Sequence, residues 1–434
     1  MSQSVPTSLP ASVDLVVVGA GTAGAALAGA AAARGLSVLC LERGDLGAAG
    51  ARWVNGVSDE AFVEAGVPLP TGEELLSEGG NFHLLAGWGP ERIVIDRRGL
   101  YEVDMRLLVA RLLARALEAG ARLEGGVRVD GIEGRRVSTS AGPVEAEFIV
   151  DASGLSGARL LAQPKTPPSD ICSAAQGVYA LKDVAAAKAF LAEHEVGEDE
   201  TLCFAAVEGG YSILNISLHG DELSILTGSI PADGHASGAK MIERFLAEHE
   251  WVGRRRFGGS RAIPLGRPHD LLAKGSVAVL GDSARQVFSA HGSGIGPGLV
   301  AARMLAEALA EGRGCEGYAL DWMRSHGGVF AGYDSFRRFS QRLGVPELLY
   351  LMRTGLMDPD SAGAALVQRF PRPSPGRALS LAPAIAGSSR LRPRLISLGA
   401  GIVALTALYA RYPEAGFKRD AWLRAVQRVH GGAA

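Results

Sequence analysis

The residues whose types and spacing most clearly predict chemistry lie near the start of the chain. Gly19, Gly21 and Gly24 form a GxGxxG pattern between a short apolar run at residues 15–18 and an Ala-rich segment. In such a pattern the first glycine permits a tight turn, the second lets a pyrophosphate approach the backbone, and the third lets a helix pack closely on a strand. The unpaired N–H groups at the helix N-terminus also favour phosphate. The pattern therefore predicts a dinucleotide site.

An acidic residue at the expected distance supports this prediction. Residues 37–41 have the composition of a second strand, and Glu42, 23 residues after Gly19, stands at its end. A carboxylate at this position accepts hydrogen bonds from both ribose hydroxyls and disfavours a 2′-phosphate. The site therefore suits FAD or NAD better than NADP. The alternative is a strand–helix–strand unit that binds no nucleotide.

Two later segments contain residues that suit the same kind of cofactor. Residues 150–157 (VDASGLSG) run from a strand into a turn of small residues. An apolar strand at 276–280 is followed by Asp282, which at the end of a strand can accept a hydrogen bond from a sugar hydroxyl. A glycine-rich loop at 289–295 then leads into a helix, and its backbone N–H groups could stabilise negative charge on a reduced isoalloxazine ring.

In this order the segments resemble the glutathione-reductase-type FAD fold. The match is to the branch that contains geranylgeranyl reductases, class A flavin monooxygenases and flavin-dependent halogenases, and it spans most of residues 14–310. The resemblance implies that Glu42 binds the adenosine ribose, that Asp282 binds the ribityl chain, and that residues 289–295 lie along the flavin ring. The candidate FAD-binding residues are Gly19, Gly21, Thr22, Ala23, Gly24, Glu42, Arg43, Val129, Ala152, Gly154, Gly281, Asp282, Ser289, Gly292, Gly294 and Ile295.

Other residues are candidates for contact with a substrate. Arg52, Trp53 and Asn55 lie in the loop after the ribose-binding strand, for which a surface connection is the alternative. Tyr211 begins a predicted strand and lines either the substrate cavity or the core. His291 in the glycine loop is the candidate proton donor, because imidazole titrates near neutrality; the alternative is a histidine that only hydrogen-bonds the backbone or the flavin. The histidines and cysteines show no metal-ligand spacing, so no metal site is predicted.

The order of the segments also predicts the fold class. We expect an α/β chain in which a Rossmann-like FAD-binding domain is interrupted by an α+β substrate domain with an antiparallel sheet, followed by a helical C-terminal region. Two apolar runs, 211–218 and 223–230, are joined by a Gly-Asp turn and predict an antiparallel hairpin. The predicted divisions are a disordered lead (1–13), the first part of the FAD-binding domain (14–160, with 46–100 partly facing the substrate), the substrate domain (161–275), the resumed FAD-binding domain (276–330) and the helical C-terminal region (331–434).

Composition narrows the classes of partner and compartment. The 434 residues are 47 % hydrophobic and 21 % charged, with a net charge of −2, which argues against a nucleic-acid partner. The four cysteines are widely spaced, so a reducing cytoplasm is predicted. The apolar segment at 395–410 is shorter than the ~18–20 residues that span a bilayer. It predicts a buried helix, with peripheral membrane contact as the alternative.

The sequence thus predicts an FAD-dependent oxidoreductase that acts on a hydrophobic small molecule. The leading version is a reduction or dehydrogenation of a carbon–carbon bond in a prenyl-like or polyketide-like substrate. The alternatives are a class A monooxygenase that hydroxylates or epoxidises, a flavin-dependent halogenase, and a non-catalytic flavin-binding protein. No second GxGxxG follows a strand, so electrons are expected from transiently docked NAD(P)H, from a partner reductase or ferredoxin, or from the substrate itself.

Overall fold

The computed structural model describes residues 8–372, 375–414 and 417–432, and residues 1–7 of the predicted lead lie outside these ranges. The strands are β1 (Ser12–Val18), β2 (Val38–Leu41), β3 (Val54–Ser58), β4 (Leu75–Glu78), β5 (Asn81–Ala86), β6 (Arg92–Asp96), β7 (Leu100–Asp104), β8 (Arg122–Glu124), β9 (Val129–Glu133), β10 (Arg136–Thr139), β11 (Val144–Asp151), β12 (Ile171–Leu181), β13 (Thr201–Ala205), β14 (Ser212–His219), β15 (Glu222–Ser229), β16 (Val252–Pro264), β17 (Ala273–Lys274) and β18 (Val277–Val279). The helices are α1 (Thr22–Ala32), α2 (Asp59–Ala65), α3 (Met105–Glu118), α4 (Val184–Glu193), α5 (Gly238–Glu248), α6 (Ile295–Ala310), α7 (Gly314–Trp322), α8 (Gly328–Ser340), α9 (Val345–Arg353), α10 (Pro359–Leu366), α11 (Pro375–Gly387), α12 (Arg392–Tyr409) and α13 (Phe417–Gly432).

The first sheet is built around β1, whose apolar side chains are buried on both faces. The sheet has the order β17-β18-β11-β1-β2-β8, with the β9–β10 hairpin attached to β11. Leu15 and Val17 pack in the core that includes α1, α3 and α6, whereas Val16 and Val18 pack in the core on the hairpin side. The strands β1, β2, β11 and β18 run parallel, so the turns that follow them meet at one edge of the sheet.

The second sheet contains the predicted antiparallel strands, with one parallel pair between β5 and β13, and it draws on more of the chain than the middle region. Its order is β16-β12-β15-β14-β13-β5-β6, so two of its strands come from residues 81–96, within the segment predicted to face the substrate in part. The predicted hairpin is present as β14 and β15, with Ser217 opposite Ser224. Helices α4 and α5 share a core with alternate residues of β14, which leaves the opposite face of the sheet for a cavity.

The C-terminal region is helical, and together with the two sheets it confirms the predicted fold class. The apolar segment at 395–410 lies in α12, which packs against α8. Leu398 and Leu405 are buried, whereas Ile396 and Val403 are exposed, so one face of the segment is buried and the other meets solvent. Within the described ranges, no helix is both long and apolar enough to cross a membrane.

Candidate functional site

The GxGxxG turn is packed so closely that glycine is required at two of its positions. Gly19 has a φ of +102°, and a Cβ there would lie 2.6 Å from the carbonyl oxygen of Ala152. A Cβ on Gly24 would lie 1.9 Å from the carbonyl oxygen of Gly19. Helix α1 begins at Thr22 with Gly21 as its N-cap, and Gly21 has no side chain to bind the first N–H groups. These N–H groups therefore remain open to a phosphate.

Glu42 lies directly beside this turn. One carboxylate oxygen, Oε2, accepts a hydrogen bond from the N–H of Ala20 at 3.0 Å, and Oε1 accepts one from the N–H of Gly44 at 2.9 Å. These bonds fix the carboxylate while each oxygen keeps a lone pair for a ribose hydroxyl. The neighbouring Arg43 is exposed.

The later motifs lie next to the same turn, as the parallel strands require. The N–H of Ala152 donates to the carbonyl of Val18, and the N–H of Gly154 donates to Oγ of Ser283 at 2.8 Å. A Cβ on Gly281 would lie 3.2 Å from the Cβ of Ala23. A cavity of about 370 Å³ here is lined by residues that include Gly154 and Asp282.

Val129 is the one candidate FAD-binding residue that lies apart from this group. It belongs to β9, opposite Thr139 of β10, and packs in the core on the hairpin side of the sheet. Two residues earlier, the N–H of Val127 donates to the main-chain carbonyl of Glu42 at 2.9 Å.

The glycine loop connects the acidic strand end to α6. The Oγ of Ser289 is buried and bonds both the N–H and the carbonyl of Gly266, at 2.9 and 3.1 Å. Gly294 is the N-cap of α6, and a Cβ there would lie 3.2 Å from Oδ1 of Asp282. Gly292 has a φ of +74°, and the position of its absent Cβ is 3.7 Å from the hydroxyl of Tyr211. The loop therefore lies between Asp282 and Tyr211, the residue that precedes β14 of the seven-stranded sheet.

The residues present fit FAD. A turn that excludes side chains, an anchored carboxylate and a glycine loop ahead of a helix follow one another along one edge of the sheet. Within the described residues, the Nε2 of His291 and the Oγ of Ser293 are buried in the loop region without a hydrogen-bond partner, which suits a polar ring seated there. In the same part of the chain, no group of three or more His, Cys, Asp or Glu residues could hold a metal ion.

A larger cavity of about 540 Å³ begins at the glycine loop. It lies between the seven-stranded sheet, the paired strands β3 and β7, and the C-terminal helices. Its lining includes Asn55, Tyr211 and His291. Arg52 lies elsewhere and donates from Nη1 to the carbonyl of Gly47, while Trp53 is buried in the core. The structure thus brings together the catalytic candidate and two of the four substrate candidates.

Apolar side chains of the C-terminal helical region line this cavity together with apolar side chains of the strands, and no site residue was predicted in this helical region. Periodic apolar residues predicted the helices but could not show which face would border a cavity. The apolar lining residues of this region include Phe336, Phe339, Leu343, Leu348, Leu351, Leu356, Met357, Leu366, Phe370, Leu395, Leu398 and Ile402.

Burial decides the protonation states of the two titratable groups at the glycine loop. It lowers the pKa of His291 to about 4, although the main-chain carbonyl of Ala365 opposes the shift. His291 is therefore neutral near neutral pH. Burial also raises the pKa of Tyr211 well above its usual value, so this hydroxyl keeps its proton.

The end of the cavity away from the loop borders a charge cluster that is buried except for Asp199. We call it the Glu102 cluster (Arg97, Glu102, Asp199, Thr201 and His219). The Oε1 of Glu102 accepts from Nη1 of Arg97 at 2.7 Å, and its Oε2 is 3.0 Å from Nε2 of His219. The Nδ1 of His219 is 2.9 Å from Asp199, and Oγ1 of Thr201 is 3.4 Å from Glu102. Glu102 is 117 residues from His219 and 99 residues from Thr201, so no local pattern could have predicted that these side chains meet.

Replacing His219 with glutamine is expected to make stability less dependent on pH. Burial disfavours the charged forms of His219 and Glu102, but the hydrogen bonds and opposite charges within the Glu102 cluster outweigh this effect. They raise the pKa of His219 above 6.5 and lower the pKa of Glu102 to about 2. The stabilisation from His219 is therefore complete below pH 6.5 and is lost as pH rises through its raised pKa. The stabilisation from Glu102 is complete above pH 4.5 and is lost as pH falls from there through about 2. Urea unfolding should show the largest deficit of His219→Gln at weakly acidic pH and a smaller one in alkaline solution.

The control for this experiment is His249→Gln, since Nδ1 of His249 bonds the main-chain carbonyl of Phe245 rather than a carboxylate. A deficit of His219→Gln that stays constant from weakly acidic to alkaline pH would contradict the assignment.

The chain is similar in sequence to named reductases and in fold to several solved structures. No family model matches the chain. A digeranylgeranylglycerophospholipid reductase 2 of Methanopyrus kandleri is 28 % identical over 338 residues, which are 69 % of this chain and 77 % of the relative. Such relatives, together with the reductase-like and flavin-dependent structures below, confirm the predicted enzyme class, an FAD-dependent oxidoreductase.

Solved structures confirm the predicted fold resemblance. A geranylgeranyl bacteriochlorophyll reductase-like protein of Thermoplasma acidophilum superposes with a TM-score of 0.68 at 17 % identity, covering 89 % of this chain and 99 % of that one. The flavin-dependent brominase Bmp2 superposes with a TM-score of 0.59 at 16 % identity, covering 83 % of this chain and 94 % of that one. At these identities the likeness shows the fold that the chain shares with both.

Proposed function

We propose that this chain, an FAD-dependent oxidoreductase of the superfamily of geranylgeranyl reductases, flavin monooxygenases and flavin halogenases, reduces carbon–carbon double bonds in a prenyl-type lipid. The observation that carries the proposal is the cavity of about 540 Å³, which begins at the glycine loop and continues between apolar side chains of the C-terminal helices. An apolar cavity of this size selects a hydrophobic substrate. The name of the Methanopyrus relative supports the same class of substrate.

The residues at the loop divide the remaining tasks. FAD, when bound and reduced by an electron donor, would supply the hydride for such a reduction, and the second hydrogen must arrive as a proton. We assign that proton to the hydroxyl of Tyr211, which lies against Gly292 and stays protonated. His291 is neutral and its Nε2 is without a partner among the described residues, so we assign it a hydrogen-bonding role toward the ring or the substrate.

The proposal is compatible with two electron donors, transiently docked NAD(P)H and a partner reductase. Reducing the protein with dithionite tests the chemical step with neither donor present.

The test is a single-turnover experiment in the absence of oxygen. FAD-loaded protein is reduced and mixed with a lipid that carries geranylgeranyl chains, and the product is examined by mass spectrometry. We expect reoxidation of the flavin together with the gain of two hydrogens per double bond. A product that gains an oxygen atom after air is admitted would instead support the monooxygenase, and a flavin that no lipid reoxidises would contradict the proposal.

Tyr211→Phe is expected to lower the rate of this step about 10²–10⁴-fold, the usual contribution of a positioned general acid. FAD content and KM should change little, because the ring of the side chain is retained. The control is Tyr350→Phe, since the hydroxyl of Tyr350 bonds the main-chain carbonyl of Ala384 away from the glycine loop. An unchanged rate in Tyr211→Phe would remove this residue from the mechanism.

A further inference from the structure

We propose that Arg97 binds an anionic head group, a phosphate or a carboxylate, at the end of the large cavity farthest from the glycine loop. The substrate would then be an amphiphile whose apolar chain runs from Arg97 toward Tyr211. The inference rests on the proposed function in one respect, namely that the large cavity receives a lipid.

The first observation is the state of the Arg97 side chain. It is only 4 % exposed and lines the cavity, and its Nη1 donates to Glu102. Within the described residues, its Nε and Nη2 have no hydrogen-bond partner. These two atoms form the edge of the guanidinium that presents two parallel N–H donors, the geometry that matches two oxygens of a carboxylate or phosphate. A buried edge of this kind without a partner is costly, so a ligand that completes it is favoured.

The second observation is a group of hydroxyls on the cavity face of the sheet. Thr201 of β13 is opposite Ser217 of β14, and Ser217 is opposite Ser224 of β15. All three line the cavity. The Oε1 of Glu102 is shared between Nη1 of Arg97 and Oγ1 of Thr201, at 2.7 and 3.4 Å, which places the hydroxyls next to Arg97. Thr201 donates its own proton to Glu102, so its 2.9 Å contact with Ser217 uses the proton of Ser217. Ser224 accepts from Nε2 of Gln176 at 3.2 Å and keeps its proton, and a hydroxyl and a guanidinium are typical donors to phosphate oxygens.

The third observation is the charge balance. Glu102 bonds two basic side chains, Arg97 through Oε1 and His219 through Oε2. The other ring nitrogen of His219 bonds Asp199. Asp199 is largely exposed, so solvent screens its charge. The single buried carboxylate therefore serves two basic side chains, which leaves the buried part of the cluster able to accept an anion.

The strand β14 sets the distance between the two ends. Tyr211 precedes it at the glycine loop, and Ile213, Asn215 and Ser217 line the cavity in turn. Six residues separate Tyr211 from Ser217, which corresponds to roughly 20 Å at the rise of a strand. Polarity increases along this line toward Arg97. An amphiphile held by its head at Arg97 would thus present a bond well along its chain to the loop.

The test measures binding alone, with saturated ligands that cannot be reduced. FAD-loaded protein is titrated by calorimetry with dodecyl phosphate, dodecanoate, dodecanol and inorganic phosphate. We expect the two anionic amphiphiles to bind at least tenfold more tightly than dodecanol, and inorganic phosphate to bind weakly and not to compete. Equal binding of dodecanol and dodecyl phosphate would overturn the inference, and so would tight binding of inorganic phosphate in place of the amphiphiles.

Variants connect the preference to Arg97. Arg97→Met is expected to abolish the preference for the anionic head, and Arg97→Lys, which keeps the charge but lacks the two-donor edge, to reduce it severalfold. The matched control is Arg98→Met, the next residue, whose side chain is 89 % exposed, and it should bind like the unaltered protein. If Arg97→Met does not fold, the double variant Arg97→Met with Glu102→Gln removes the buried pair together and should show the same loss.

A preference that persists in any folded variant without Arg97 would overturn the inference. Because these ligands undergo no reaction, the outcome is independent of whether the protein reduces a prenyl lipid. A protein that binds the anionic amphiphiles through Arg97 yet reduces no double bond would contradict the proposed function and leave the head-group site standing.

Discussion

Gly24→Ala is expected to abolish FAD retention and to destabilise the chain by about 1–3 kcal/mol or more. The added Cβ would lie 1.9 Å from the carbonyl oxygen of Gly19 and 3.3 Å from the Cβ of Ala152. Neither contact can be relieved by rotating a side chain, because the first is with a backbone oxygen and the second is with the Cβ of alanine, which no rotation moves. Helix α1 would have to move away from the turn that presents its N–H groups to the phosphates.

The same helix offers a matched control. Gly29→Ala adds an identical methyl group in α1, but there the nearest atoms are in Ala116 at 3.4 Å. Since alanine is favoured over glycine within a helix by about 1 kcal/mol, this variant should be as stable as the unaltered protein or slightly more stable, with normal FAD content. Flavin absorbance after gel filtration and urea unfolding measure the two effects. Full FAD retention in Gly24→Ala would contradict the assigned role of the turn.

Arg337→Met is expected to lower the free energy of unfolding by about 3–5 kcal/mol, the usual cost of removing one partner from a buried ion pair. The side chain of Arg337 is 1 % exposed, and its Nη2 is 2.9 Å from Asp170 and 2.6 Å from Asp334. Asp334 also bonds Nε2 of His430 at 2.7 Å. The variant would leave Asp170 buried without its ion-pair partner and would leave Asp334 with only His430 and the more distant Arg338. This one group joins α8, the segment before β12, and α13.

The adjacent Arg338 provides the comparison. Its Nε is 3.7 Å from Asp334 and its side chain is 30 % exposed, so Arg338→Met should cost under about 1 kcal/mol. The triple variant Arg337→Met, Asp170→Asn and Asp334→Asn should recover part of the stability, since it removes the stranded charges. Because α8 also supplies Phe336 and Phe339 to the cavity, we expect Arg337→Met to weaken lipid binding as well. Similar unfolding curves for the variants of the two arginines would contradict the buried network.

The local parts of the fold and the candidate site follow from sequence because their physical requirements are local. A buried strand, a turn that tolerates only glycine and a helix N-terminus occupy adjacent positions from β1 to α1, so Gly19 and Gly24 could be identified by spacing alone. The same applies to Glu42 and to the hairpin of β14 and β15. Parallel pairing of β1 with β2 and β11 then brings motifs far apart in the chain to one edge, as the fold resemblance implied.

The substrate side was decided by tertiary structure. Strands β5 and β6 belong to the seven-stranded sheet, although they precede its other strands by more than 70 residues in the chain. The sides of the C-terminal helices that border the cavity have the same apolar composition as any helix face that packs in a core. The Glu102 cluster and the network around Arg337 join residues about 100 or more positions apart, which no periodicity encodes. The sequence by itself determined the nucleotide-binding turn, because glycine positions and helix ends are local requirements; only the tertiary structure determined the cavity and its buried charges, because burial and pairing exist only after distant segments pack.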